Sequence, residues 1–116
     1  MSQELSPFQK LEGKELQVNF LGVDYVLTFQ IGRYCMGKAP SIELIDSTKE
    51  PFATLTVNLP MTALEENEVI IKTWSENEPI AEAARKSGLF FDTGKRVSTG
   101  FCQAEIWKVL SKENEA

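Results

Sequence analysis

Histidine is absent from the chain, and only two cysteines, Cys35 and Cys102, occur among its 116 residues. The missing imidazole removes Ser-His-Asp and Cys-His nucleophilic sites, and with them the side chain best suited to proton transfer near neutral pH. It also removes the commonest metal ligand, and two thiols fall short of the roughly four N/S donors a structural zinc takes. No metal and no cofactor is expected. No apolar run approaches the roughly 18 residues of a membrane span. The opening MSQELSPFQK has neither the basic start nor the apolar stretch of a secretory signal. The expectation is a cytoplasmic chain, where two buried or half-buried thiols outweigh a disulfide. Nor is there a phosphate-binding glycine loop: Gly37-Lys38 lacks the upstream glycine and the following Ser or Thr.

Positive charge is scarce too. Twelve Lys and Arg face 17 Asp and Glu, for a net charge of −5. That argues against direct binding to nucleic acid or an anionic membrane. It allows the reverse, an acidic protein docking on the basic groove of another protein. The apolar share of 42% is ordinary for a globular chain, and this length buries about two-thirds of the unfolded surface. One domain can therefore fold without disulfide or metal.

What is present reads mostly as strands. Leu16, Val18 and Phe20 alternate with Gln17 and Asn19. After a turn at Leu21-Gly22, Tyr25, Leu27, Phe29 and Ile31 alternate with Val26, Thr28 and Gln30, which predicts a hairpin. Further strands are expected at residues 41–46, 52–59, 69–74 and 101–110, with loops at 60–68 and 90–100. One helix is signalled by Asn77 as its N-cap, Pro79 in the first turn, an Ile80/Ala83/Ala84 stripe and Gly88 after the last turn. The fold class expected is α+β: an antiparallel sheet of about five to six strands with one short helix packed on one face. Residues 1–12 read as a flexible arm pinned by Phe8 and Leu11, 13–110 as a single domain, and 111–116 as a frayed tail.

Three stretches carry candidate chemistry. The string Phe90-Phe91-Asp92-Thr93-Gly94 resembles the catalytic turn of aspartic proteases, which would need a dimer and two carboxylates sharing a proton. The basic Lys95-Arg96 that follows departs from that pattern. The simpler reading is a turn in which Asp92 bonds its own backbone and Gly94 takes a positive φ. The same region carries four cations and one anion over residues 85–96. Arg85, Lys95, Arg96 and Ser98 could hold a phosphate, with Trp107 stacking a base. The acidic counterpart, residues 64–82, holds six glutamates against Lys72, a net charge equal to that of the whole chain. Glu65, Glu66, Glu68, Glu76 and Glu78 could imitate a phosphate backbone on a partner's basic groove. The spacing fits no calcium loop.

Two strings in this order carry a resemblance. They are Lys49-Glu50-Pro51-Phe52-Ala53-Thr54-Leu55-Thr56-Val57-Asn58-Leu59-Pro60, and the later Gly88-Leu89, Thr93-Gly94 and Ser98-Thr99-Gly100-Phe101-Cys102. Over about residues 25–110 the chain resembles a small family of uncharacterised proteins from phages, prophages and conjugative elements of Gram-positive bacteria. The loop departs by one residue from that family's Ser-Gly-Phe-Cys form. The resemblance implies a context rather than an activity: small acidic accessory proteins of mobile elements often antagonise host defences. The leading expectation is a non-enzymatic, anti-CRISPR-type inhibitor, monomer or homodimer, acting in the host cytoplasm. It would bind an effector nuclease through the five glutamates and block nucleic acid. The alternative is a module or sponge for a signalling nucleotide, held by Arg85, Lys95, Arg96 and Ser98.

Overall fold

A computed structural model describes residues 7–37 and 39–110. The fold is α+β, with seven strands in two antiparallel sheets and one helix longer than two turns. The first sheet has the order β1-β2-β3-β4, from β1 (Glu15–Phe20), β2 (Val23–Arg33), β3 (Pro40–Ile45) and β4 (Pro51–Thr54). The second is β5-β7-β6, from β5 (Glu68–Ile71), β6 (Phe90–Ser98) and β7 (Gln103–Val109). The single sheet expected from sequence is thus divided. The division falls after Thr54. The stretch expected to continue as one strand to Leu59 instead leaves β4 and crosses over, with the Leu55 N–H donating to Ile42 O and the Val57 N–H to Ile70 O. Thr56 makes a single bridge to Ile71.

The β1–β2 hairpin follows its alternation. Phe20 pairs with Val23, leaving Leu21 and Gly22 as a two-residue turn with φ of 54° and 83°. Two positive φ values are what a right-twisted hairpin requires of so short a turn. Leu16, Val18, Leu27, Phe29, Ile42 and Leu44 point to one face and are buried. On that face they meet Val69, Ile71, Phe90, Trp107 and Val109 from the second sheet. Phe29, Phe90 and Trp107 form a chain of tilted rings across the junction, with centroids 6.0 and 5.5 Å apart. The opposite face of the second sheet has its own small core, Ile70, Ala104 and Ile106, covered by Val57, Leu59, Leu64, Trp74 and Val97.

α2 (Glu78–Lys86) lies against β1 and β6 and buries Ile80, Ala81 and Ala84. Asn77 stands at its N-cap position as expected, but it is 4% exposed and does not cap the helix with its side chain. Instead its Nδ2 donates to Thr54 O at 2.8 Å, fastening the helix start to the end of β4. Gly88, at φ 81°, closes the helix as read. The N-terminal arm is corrected in part. Residues 7–11 form a single helical turn, α1 (Pro7–Leu11), and Leu11 belongs to the main core. Residues 1–6 and the 111–116 tail lie outside the described residues. Among those described, no helix is long and apolar enough to cross a membrane.

Candidate functional site

The largest departure from the sequence reading is at residues 90–100, expected as a loop. Residues 90–98 form β6, an edge strand on β7. The Asp92–Lys95 register shift is a bulge that takes up Thr93 and Gly94, which is why a turn-like string can sit inside a strand. The turn chemistry is present within it. The Gly94 N–H donates to Asp92 Oδ1 at 2.9 Å, Gly94 has φ 85°, and Thr93 Oγ1 donates to Ile106 O.

Strand pairing then brings the basic residues onto carboxylates. Asp92 lies opposite Trp107, and Arg96 opposite Glu105, so all four share one face, and α2 lays Arg85 over it. Arg85 donates from Nη1 to Asp92 Oδ2 at 2.8 Å and from Nη2 to Glu105 Oε1 at 2.7 Å. Arg96 grips both Asp92 oxygens, at 3.0 and 3.1 Å. The Trp107 Nε1–H donates to Glu105 Oε1 at 2.9 Å, and the Arg85 guanidinium lies 4.9 Å over the Trp107 ring, close enough for a cation–π contact. Arg96 holds the Asp92 carboxyl far below its ordinary value; the Gly94 N–H and Arg85 add to this and outweigh partial burial. Asp92 raises both arginines in return. A carboxylate bound this way stays ionised and has no proton to share, so it does not suit a protease dyad.

The phosphate-binding reading of this region is therefore corrected. Arg85 and Arg96 are engaged by Asp92 and Glu105. Lys95 Nζ lies 2.7 Å from Glu68 Oε2. Ser98 Oγ accepts a long bond from the Gly100 N–H at 3.4 Å. Trp107 is 1% exposed and cannot stack a base.

The acidic set is divided. Glu68 is corrected as a docking residue: it is 5% exposed and acts as a clamp, taking Lys95 and, at 2.9 Å, the Glu65 N–H. Burial pushes its carboxyl up, but the bonds from Lys95 and the Glu65 N–H bring it below the ordinary value. Glu65 and Glu66 are exposed just before β5; Glu76 and Glu78 are exposed beyond its other end, at the start of the helical segment. None of these four forms an ion pair with a described residue. Glu65 and Glu66 line a cleft of about 720 Å³ with Phe8, Leu59, Pro60 and Leu64, and Arg33 also borders it. Gly37 brings a second loop against this wall. It has φ 83°, and a Cβ there would stand 2.9 Å from Pro60 Cβ, so only glycine fits this approach. Both cysteines are free; Cys102 is half-buried, but Cys35 is exposed, contrary to expectation. Among the described residues, no three Asp, Glu or Cys side chains are grouped to hold a metal ion. No protein-family model, no curated protein and no solved structure matches the chain.

Proposed function

We propose that the protein is an accessory protein of a phage or other mobile element that antagonises a host defence system. In this reading it is an anti-CRISPR-type inhibitor that docks on an effector nuclease and keeps nucleic acid out of its groove. The observation that carries the reading is an asymmetry of charge. Glu65, Glu66, Glu76 and Glu78 are exposed and form no ion pair with a described residue, while Arg85, Lys95 and Arg96 are each engaged by a carboxylate of the same chain. The negative charge of these four glutamates is therefore offered outward, while Arg85, Lys95 and Arg96 direct theirs to carboxylates of the same chain. An acidic surface is complementary to the arginine- and lysine-lined channels through which effector nucleases hold nucleic acid. The resemblance to proteins of Gram-positive phages and conjugative elements supplies the biological setting.

The test uses purified effector nuclease and target DNA, with the protein as competitor. Changing Glu65, Glu66, Glu76 and Glu78 together to Lys is expected to weaken inhibition about 100-fold or more, from four reversed contacts. The circular dichroism spectrum should not change. Undiminished inhibition by the folded variant overturns the reading.

A further inference from the structure

A second cleft, of about 500 Å³, opens at the seam between the two sheets. It lies where the chain leaves β4 and crosses to β5. This volume falls within the range of small-molecule sites, which are typically apolar with a few convergent polar groups. Phe20 and Phe52 give it an aromatic wall, with centroids 5.7 Å apart and edge-to-face. Both rings are half-buried, so a guest ring can extend the array. Tyr34 also lines it, with its hydroxyl beside Thr56. That hydroxyl shares a single 2.9 Å hydrogen bond with Thr56 Oγ1, which also accepts the Ile42 N–H. The pair has two hydroxyl protons and uses one between them. Because Thr56 is buried, Tyr34 is the member able to give the other to a guest.

Two opposite charges border the same cleft without joining. Lys72 is half-buried and lies 6.0 Å from the Trp74 ring centroid. Glu76 is exposed. The two are not within ion-pair distance of each other, and neither pairs with another described residue. The wall also contains Asn58, whose Oδ1 is the one buried side-chain oxygen or nitrogen without a hydrogen-bond partner among the described residues. A cleft with an aromatic wall, a hydroxyl donor, and a cation and an anion held apart is complementary to a ring bearing both charges. We infer that this seam binds a small aromatic zwitterion of the aromatic amino-acid class, its carboxylate toward Lys72 and Tyr34 and its ammonium toward Glu76.

This inference shares Glu76 with the docking reading but is tested without any partner, so the two can fail separately. The isotope-labelled full chain is titrated with L-phenylalanine, phenylacetate and phenethylamine, and backbone amide shifts are followed. Phenylalanine should saturably move the amides of Thr54, Asn58, Lys72 and Glu76, with a dissociation constant on the order of 1 mM for a ligand this small. It should bind about threefold more tightly than either singly charged probe, the gain of one half-exposed charge contact. Lys72→Ala should remove its advantage over phenethylamine, and Glu76→Ala its advantage over phenylacetate. Lys72→Gln, which keeps a stem over Trp74, should behave as Lys72→Ala. Equal affinities for the three probes, shifts confined to other residues, or no saturation would overturn the inference.

Discussion

The basic stretch 85–96, with its partner Glu105, and the acidic stretch 64–78 dispose of charge in opposite ways. In the first, the β6–β7 pairing sets Asp92, Arg96 and Glu105 on one face and α2 lays Arg85 across them. The charges face one another and the face closes. In the second, short β5 has glutamates beyond both ends, and only Glu68 finds a cation, Lys95. The difference teaches that a run of like charge announces a binding surface only where the fold withholds its counter-charge. Arg85 and Glu105 are 20 residues apart, and no local reading of the basic stretch supplies that partner.

If the first region is structural and the second interactive, substitutions should separate along that line. The largest effect on stability is expected at Trp107, which fills the core beneath Arg85. Trp107→Ala should cost about 3–5 kcal/mol, measured by urea unfolding; a loss under 1 kcal/mol would remove the ring from its role under the network. Next comes Asp92→Asn, which deprives two arginines of their shared acceptor. Charged hydrogen bonds are worth about 1.5–3 kcal/mol when dry, and solvent screening lowers this to about 1–2 kcal/mol, since Arg85 and Arg96 are 39% and 35% exposed. The same residue sets a pH dependence. The native carboxyls of Asp92 and Glu68 lie below their ordinary values of 3.8 and 4.5. Their contribution is full above those values and is lost as pH falls through the lower native ones. Melting temperature should therefore drop below about pH 4.5, and Asp92→Asn should flatten that acid limb; an unchanged limb would break the comparison. The smallest effect is expected outside, where Glu65→Gln and Glu66→Gln should each stay within about 0.5 kcal/mol of the parent. A larger loss by thermal unfolding would give the acidic edge a structural task after all.

Much of the framework was legible because it is local. The alternation from Leu16 to Ile31 and the Leu21-Gly22 turn determine a hairpin, and Ile80 and Gly88 mark the helix. The division into two sheets was not legible, because Thr54–Val57 keeps β-branched residues on both sides of the point where the chain changes partner. β6 was missed because Thr93-Gly94 carries turn chemistry that a bulge accommodates without ending the strand. Asn77 holds the N-cap position its residue type suggests, but the partner that takes its side chain away from the helix, Thr54 O, lies 23 residues away. Among the expected docking residues, Glu68 differs from its neighbours only in strand position. It starts β5, on the face that Lys95 of β6 overhangs.

The order β5-β7-β6 also bears on how the chain is made. The middle strand of the second sheet is the last one synthesised, so β5 and β6 have no hydrogen-bonding neighbour between them until Gln103–Val109 has emerged. Val69, Ile71 and Phe90 then wait on Trp107 and Val109 to complete their packing. On the ribosome, the first sheet can form while the second is still two open edges, a state exposed to misassembly. The second sheet becomes whole only when β7, the last of its three strands to be made, enters the gap between the other two.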